Sequence, residues 1–325
     1  MNVDFRAAPQ QRGMAIISAL LIAAVVAVMA GAMLTRQASF MRAVEAEQGR
    51  VRATGVLEGG LEYSRQALWQ ARQQDVLTRL DQAWARPINE QALGALGGAF
   101  QGTLQDQQGK FNLRNLVLHD QVDSPQLQSF ERLCQLIGID LALSRRISQR
   151  VIASYPQRLP RAPSASHTSG AFNSARLPAA EALVVPAKQP MLRSLDDLRG
   201  LRGLSSARLA RLEQYVSLLP GNTWINGNTA RPEVLAAVVP GLTLARARAL
   251  VAERDAGHWF INRGDFVNRL RLPEVVVDQV QVGITSEWFL LVGQGRQDRR
   301  RVSLEALLYR PEDRMPEVIW SRVGA

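Results

Sequence analysis

One uncharged apolar segment near the N-terminus constrains this chain more than any other feature. Residues 14–34 read MAIISALLIAAVVAVMAGAML and contain no charged side chain. A helix of that length spans about 30 Å, which is the thickness of the hydrocarbon layer of a bilayer. A secretory signal peptide usually has a shorter apolar region, of about 7–15 residues. The segment therefore predicts a transmembrane helix.

The residues before this segment are typical of a leader that is removed. Directly before it lies the short polar stretch Pro9-Gln10-Gln11-Arg12-Gly13, which ends in an arginine and a glycine. An arginine–glycine pair directly before an apolar helix resembles the site at which prepilin peptidases cut, which predicts cleavage between Gly13 and Met14. Two other interpretations stay open: an uncut signal anchor, and a signal peptide cut after the small-x-small sequence Ala30-Gly31-Ala32.

The fifth residue after the predicted cut departs from the common pilin pattern. Most pilins and pseudopilins have a glutamate there, whereas this chain has Ser18. The departure argues against an ordinary pilin subunit and favours a minor class of subunit.

Composition limits the remaining possibilities. The 325 residues are 46% hydrophobic and 21% charged, so the part after the anchor can form two or three small domains with cores of their own. A single cysteine, Cys134, excludes an intrachain disulfide, and its apolar helical context predicts a buried residue. The net charge of +10 is typical of proteins that bind nucleic acid or anionic membranes, but the arginines are spread along predicted helices and loops and are interpreted as solvated faces.

The apolar helix is predicted to continue well beyond the membrane. From Arg36 to about Arg72 there is no proline, and helix-forming residues are abundant. Apolar residues at spacings near four and seven form one stripe, which indicates a long rod, half inside and half outside the bilayer. The stripe consists of Phe40, Val44, Val51, Leu57, Leu61 and Leu68.

Strand patterns lie at both ends of the extramembrane part. Residues 100–104 and 109–113 are predicted to pair as a hairpin across a turn at 106–109. Four C-terminal segments have strand patterns, and three or four of them are predicted to form an antiparallel meander that completes the sheet begun at Phe100. These segments are 280–283, 288–292, 302–309 and 318–322.

Helical patterns fill the region between. Ser124, as N-cap before Pro125, predicts a helix that ends near Gly138, and a second helix covers 141–154. A loop rich in proline, serine and alanine follows at 155–190. Two helical hairpin units are predicted after it. The first has helices from 194 and at 206–218, and the second has helices from 229, at 244–254 and at 266–270.

The sequence contains no recognisable active site. His119, His167 and His258 are far apart and lack a second ligand at metal spacing, and no nucleotide-binding, metalloprotease or serine-hydrolase motif occurs. We therefore predict that the protein is not an enzyme and that it carries no cofactor.

The second hairpin unit supports an alternative function. Pro240-Gly241-Leu242-Thr243 resembles the bend of a helix-hairpin-helix, in which backbone N–H groups hold a DNA phosphate. This chain departs from that bend at Thr243, where the second glycine is expected. The alternative is a membrane-anchored DNA-binding protein of competence type, although nucleic acid is not the favoured partner.

Taken together, five motifs resemble those of the K-type minor pseudopilin of bacterial type II secretion systems, and they occur in the family's order over nearly the whole chain. The motifs are Arg12-Gly13-Met14-Ala15 without a glutamate at Ser18, Gly109-Lys110-Phe111-Asn112-Leu113, Arg193-Ser194-Leu195-Asp196-Asp197-Leu198-Arg199-Gly200-Leu201, Ile225-Asn226-Gly227-Asn228-Thr229-Ala230 and Ser286-Glu287-Trp288-Phe289.

The resemblance implies an α+β pseudopilin fold: a long N-terminal helix, half transmembrane, packed on an antiparallel sheet, with a large all-α insertion of helix-hairpin-helix or SAM-like units. The expected division is a prepilin-type leader at 1–13, the transmembrane part at 14–34, the pseudopilin helix and first strands at 35–118, a SAM-like helical domain at 119–222, a helical hairpin domain at 223–277 and the C-terminal strands at 278–325.

The resemblance also implies a function, partners and a location. The protein is expected at the tip of the pseudopilus, capping and initiating assembly for the export of folded proteins across the outer membrane. Expected partners are the I-, J- and then H-type minor pseudopilins, the major pseudopilin, prepilin peptidase and inner-membrane lipid. The anchor is expected to cross the bacterial inner membrane once and to leave the soluble part in the periplasm.

One expected departure concerns calcium. Proteins of this type can carry calcium on an acidic loop, but the corresponding stretch here, 141–180, contains no aspartate or glutamate. Since calcium is usually held by several carboxylate and carbonyl oxygens, we predict that this chain lacks the family's calcium site.

Overall fold

The fold consists of a long N-terminal helix, a five-stranded antiparallel sheet and a helical insertion between the second and third strands. These elements are seen in a computed structural model that describes residues 11–93, 98–158, 184–297 and 300–324. The arrangement confirms the predicted α+β fold.

The N-terminal helix, α1, is a single rod. It runs from Gln11 to Gln74, and its 64 residues give a length of about 95 Å. The described side chains from Ile16 to Ala43 are exposed, whereas Val56, Leu57 and Leu68 are buried against the sheet. The predicted apolar stripe is therefore covered only in its C-terminal part.

The sheet combines two strands that precede the insertion with three that follow it. Its strands are β1 (Ile88–Leu93), β2 (Gly98–Asp106), β3 (Trp288–Gln297), β4 (Arg300–Tyr309) and β5 (Glu317–Gly324), hydrogen-bonded in that order and antiparallel throughout. Leu291 of β3 pairs with Leu104 of β2, which confirms that the C-terminal strands complete the sheet begun at Phe100.

The helix packs on the sheet through glycines that make room for one aromatic ring. A Cβ atom at Gly60 of α1, or at Gly293 of β3, would lie 2.3 Å from the ring of Phe100. Phe100 is fully buried between these two backbones. Close approach of helix and sheet at this level therefore requires that neither position carry a side chain.

Two predicted strand pairings are wrong. Phe111–Asn112 does not form a hairpin with β2 but pairs in parallel with Val216–Ser217. Similarly, Val282–Gly283 pairs in parallel with Ile225–Asn226 and not within the C-terminal meander. In both cases the strand pattern is local, while the partner is set by the core of the insertion, which lies far away in the sequence.

Six helices occur in the described part of the insertion. They are α2 (Ser124–Leu136), α3 (Leu141–Ile152), α4 (Ser206–Glu213), α5 (Pro232–Val238), α6 (Leu244–Asp255) and α7 (Arg263–Leu270). Short 3-10 helices occur at Ala83–Ala85, Leu113–Leu116, Leu195–Leu198 and Val277–Gln279. Two further short ladders join Val117–Leu118 to Gln121–Val122 and Gln157–Arg158 to Val184–Val185.

Several helix ends differ from the predictions because side-chain caps decide them. Asp123, not Ser124, is the N-cap of α2, since its carboxylate accepts a hydrogen bond from the backbone N–H of Gln126. Asn262 caps α7 in the same way, so that helix starts three residues before the predicted Phe266. The predicted helix at 206–218 ends at Glu213, because residues 216 and 217 join a ladder.

The helices of the two predicted helical domains, 119–222 and 223–277, pack on a common core. Phe130 of α2, Leu212 of α4, Val234 of α5 and Phe266 of α7 all belong to it. Cys134 is fully buried in this core, as predicted, and burial raises the pKa of its thiol to about 11. Most of the predicted loop, including His167, lies outside the described residues.

Candidate functional site

The first candidate site is the N-terminal end of α1. Gly13 and Met14 lie within α1, and the side chain of Met14 is 75% exposed. From Ile16 onward, α1 contains an 18-residue window with a mean hydropathy of 2.6, none of it buried, so its length and composition suit a membrane span. The helix has the properties predicted for an anchor.

Ser18 lies where the predicted cut after Gly13 would place the glutamate of most pilins. Its hydroxyl donates a hydrogen bond of 2.9 Å to the backbone carbonyl of Met14, one turn earlier in the same helix. A serine can satisfy its polar group in this way inside an apolar helix, whereas a carboxylate at this depth requires a partner.

The second candidate site lies where the insertion meets the sheet and the end of α1. Six side chains converge there in a buried hydrogen-bonded group, here called the junction cluster. Its members are Thr78, Asp106, Asn226, Thr229, Ser286 and Arg310.

Asp106, the last residue of β2, is the centre of the junction cluster. Its Oδ2 atom accepts hydrogen bonds from the hydroxyls of Thr229 (2.5 Å) and Ser286 (2.6 Å) and from the amide of Asn226 (3.2 Å). Its Oδ1 atom accepts from the backbone N–H of Gln108 at 2.8 Å. Burial raises the pKa of this carboxyl group, while the hydrogen bonds and the charge of Arg310 act in the opposite direction.

Arg310 follows the last residue of β4 and joins the cluster from the other side. It donates hydrogen bonds of 2.7 Å to the hydroxyl of Thr78 and to the backbone carbonyl of Ser286, and its guanidinium lies 4.6 Å from the centre of the Phe289 ring. Burial lowers the pKa of this side chain to about 10. The cluster thus contains a buried acid and a buried base, and their hydrogen bonds connect the insertion, the sheet and the segment that follows α1.

Three of the quoted motifs meet at this cluster. Asn226 and Thr229 come from the second hairpin motif, and Ser286 comes from the motif at 286–289. Gly109, from the motif at 109–113, lies so close that a Cβ atom there would be 2.7 Å from the hydroxyl of Thr229. The sequence pattern does not mark Asp106, Thr78 or Arg310 as site residues, because the burial of a polar residue at the end of a strand or after a helix leaves no local signal.

The junction cluster has the properties of a structural contact between segments of the chain and not of a ligand-binding site. The acceptor atoms of Asp106 are occupied by protein donors, and Asn226 and Ser286 are fully or almost fully buried. Within the described ranges, no group of three or more histidine, cysteine, aspartate or glutamate side chains is placed to hold a metal ion.

A cleft of about 820 Å³ lies beside the cluster, between the insertion and the outer face of the sheet. Leu290 and Leu307, which pair across β3 and β4, are on the sheet side, and Lys110 is on the insertion side. Burial, followed by the charge of Arg231, lowers the pKa of Lys110 to about 8. Charged residues of both signs line the walls of this cleft, so it shows no preference for an anion or a cation.

The hairpin bend that suggested DNA binding is present, but its helix is capped by the chain itself. Gly241 has a φ of 76°, and Thr243 is the N-cap of α6, accepting a hydrogen bond of 3.3 Å from the backbone N–H of Arg246. Ser205 caps α4 in the same way. The threonine that replaces the expected glycine therefore occupies an N–H group that a phosphate would use.

Comparison with known proteins identifies the family. Two family models described as protein K of the type II secretion system match residues 109–221 and 225–285, and together they cover more than half of the chain. The chain is 29% identical to the type II secretion system protein K of Pseudomonas aeruginosa strain PAO1 in an alignment of 316 positions that covers 93% of this chain and 90% of that protein. It is 28% identical to the protein of the same name from Klebsiella pneumoniae, over 77% of each chain.

A solved structure supports the fold. A chain in the crystal structure of the GspK–GspI–GspJ complex from enterotoxigenic Escherichia coli superposes with a TM-score of 0.64 at 16% identity, covering 87% of this chain and 99% of that one. Likeness at this identity establishes the shared fold. With the two family models matching most of the insertion, this chain belongs to the protein K family of type II secretion systems.

Proposed function

We propose that this protein is the minor pseudopilin at the tip of the type II secretion pseudopilus, where it caps the filament and initiates its assembly. It acts as a structural subunit and not as an enzyme. The observation that carries the proposal is the position of the insertion. Thr78 follows α1 by four residues and is hydrogen-bonded to Asn226 of the insertion, so the insertion lies at the end of the rod opposite the apolar segment.

A bulky domain at that end supports capping. In a filament built from parallel helices, each subunit must leave room for the next one above it. The insertion of this chain adds helices α2 to α7 and contacts the chain just after the end of the rod. A subunit of this shape can have neighbours beside and below it, but the insertion obstructs stacking from above.

Partner binding is supported by the uncovered part of α1 and by the solved relative. The E. coli complex that resembles this fold contains GspI and GspJ together with GspK. In this chain Phe40 and Val51 are 68% and 63% exposed on the part of α1 outside the apolar segment. We expect I- and J-type subunits to cover this stripe, followed by the H-type and the major pseudopilin below.

Location and processing follow from the same proposal. The anchor crosses the bacterial inner membrane once, and the sheet and insertion lie in the periplasm. Prepilin peptidase cuts between Gly13 and Met14. A tip subunit has no neighbour above it, so it needs no carboxylate at position 18 to meet another subunit's terminal amine. This agrees with the hydrogen bond that the Ser18 hydroxyl forms within its own helix.

The N-terminus of the protein recovered from membranes tests this proposal. We expect an intact mass that corresponds to a chain starting at Met14 when prepilin peptidase is present, and the full-length chain when it is absent. Gly13→Val should block the cut, whereas Gly31→Val, a matched glycine in open space on the same helix, should not. A mature chain that starts at Met1 would indicate an ordinary signal anchor, and one that starts at Met33 a signal peptide; either result would contradict the proposal.

The proposal includes the absence of a calcium site in the stretch 141–180. Its described part, residues 141–158, contains arginines and no carboxylates. We expect the unfolding temperature of the full chain in detergent to be the same in calcium and in a chelator. If calcium raised the unfolding temperature by more than a few degrees, the chain would bind the ion elsewhere or through backbone oxygens.

A further inference from the structure

One surface of the insertion carries more arginines than carboxylates. It is formed by Arg145 and Arg146 of α3 and by Arg208 and Arg211 of α4, and is here called the arginine surface. Arg145, Arg208 and Arg211 are exposed, and Arg146 is half-buried.

Two tight bends bring these side chains together. The guanidinium of Arg208 donates a 2.8 Å hydrogen bond to the backbone carbonyl of Gly203, and Arg146 lies 3.0 Å from the Cβ position of that glycine. Arg211 lies over the other bend, 3.6 Å from the Cβ position of Gly138. The arginines of α3 and α4 thus border one continuous patch around the two bends.

Few carboxylates lie near this surface. Among the described residues, Glu131 lies 3.4 Å from Arg145, and Asp140 lies 3.7 Å from Arg208. Asp140 is also the N-cap of α3, where it accepts from the backbone N–H of Leu143 at 2.8 Å. No described carboxylate forms an ion pair with Arg146 or Arg211, and Nε of Arg146 is buried without a described hydrogen-bond partner.

Several arginines elsewhere on the protein are paired by near neighbours. Arg65, Arg199 and Arg314 each form an ion pair with a carboxylate three residues away, at 2.6 to 2.7 Å. In contrast, the sequence supplies no aspartate or glutamate from residue 141 to residue 180. The arginine surface therefore carries a local excess of positive charge, which an acidic partner can balance.

We propose that the arginine surface binds an acidic segment of another protein, with carboxylates bridging Arg146 and Arg211. Guanidinium groups suit this role because they bind carboxylates through two parallel hydrogen bonds and remain charged at every physiological pH. Nucleic acid suits the surface less well, since its defining residues include no aromatic ring for base stacking and Ser205 caps the adjacent α4. This binding is independent of processing at Gly13 and of the tip position.

The full chain in detergent provides the test, with a fluorescent 20-residue polyglutamate peptide as the probe. The variant is R146E/R211E, and the matched control is R86E/R248E, which makes the same change in net charge at two other exposed positions. We expect the Kd for the peptide to rise at least tenfold in the variant and less than about twofold in the control. Because Arg146 is half-buried, R145E/R211E, at two exposed positions, serves as a second variant if the first fails to fold.

Three results would overturn the proposal. The first is failure of the unmodified chain to bind polyglutamate, and the second is an equal loss of binding in the variant and the control, which would mean that net charge alone is responsible. The third is tighter binding of a 20-base-pair DNA duplex that is lost in the same variant, which would make nucleic acid the ligand.

Discussion

The side-chain amide of Asn226 donates a 3.1 Å hydrogen bond to the backbone carbonyl of Thr78, and this fully buried contact ties the insertion to the chain that leaves α1. The same amide reaches Ser286 at 2.7 Å and Asp106 at 3.2 Å, while its oxygen accepts from the backbone N–H of Asn228 at 2.9 Å. One residue of the insertion thus contacts the end of the rod, the end of β2 and the segment that leads into β3.

We expect Asn226→Ala to lower the free energy of unfolding by about 2–3 kcal/mol, because it leaves a buried carbonyl and a buried carboxylate short of a donor. Asn89→Ala is the matched control, since Asn89 is exposed, and should change stability by less than about 0.5 kcal/mol. Denaturant unfolding of the full chain in detergent measures both. Equal effects at the two positions would argue against a joint centred on Asn226.

The contact between Gly60 and Phe100 leads to a second prediction. A methyl group at Gly60 would lie 2.3 Å from the Phe100 ring, so Gly60→Ala should force helix and sheet apart and destabilise the fold by about 1–3 kcal/mol. Gly31→Ala in the same helix meets no atom within 4 Å and should not destabilise the protein. Thermal unfolding of both variants tests this prediction. An unchanged unfolding temperature in Gly60→Ala would mean that the helix can shift away from the sheet without loss of stability.

The pKa of Lys110 predicts how the free energy of unfolding changes with pH in the alkaline range. Its pKa is about 8 in the folded chain, below the ordinary 10.5, chiefly because burial disfavours its charge. The unfolded chain therefore binds this proton more tightly, and the contribution of Lys110 to the free energy of unfolding rises as pH increases from about 8 to 10.5. The gain should stay below the roughly 3 kcal/mol that the full shift represents, since the side chain is only partly buried.

The chain's other lysine provides the control for this prediction. Lys188 is exposed, so Lys188→Met should leave the pH profile of unfolding unchanged, whereas Lys110→Met should remove the rise above pH 8. The measurement is urea unfolding at a series of pH values. A rise that persists in Lys110→Met would assign it to other groups.

The exposed stripe of α1 predicts where partner subunits bind. Replacing both Phe40 and Val51 by alanine should reduce recovery of the I- and J-type subunits in co-purification by about tenfold, because two large apolar contacts are lost. The fold should be unaffected, since neither side chain packs on the sheet. Gln37→Ala with Gln48→Ala, at exposed polar positions on the same helix, should retain the partners. Retention by both double variants would place the interface elsewhere.

The sequence alone determined the features that depend on near neighbours. The uncharged run at 14–34, the absence of proline up to residue 72 and the periodic apolar residues were enough to predict one continuous rod, which α1 confirms. The strand patterns at 288–292, 302–309 and 318–322 likewise predicted the C-terminal part of the sheet. The five spaced motifs identified the family that the comparisons then established.

Only the tertiary structure decided which distant segments meet. Phe111 was predicted to pair with β2 and instead pairs with Val216, because its ring belongs to the core of the insertion beside Phe130. Asp106 resembled an ordinary turn residue, yet it accepts hydrogen bonds from side chains 120 to 180 positions away. The arginines of α3 and α4 looked like separate solvated faces until folding brought them to one surface. Propensity, caps and periodicity act within a few residues, whereas burial and charge pairing depend on contacts that exist only after the chain has folded.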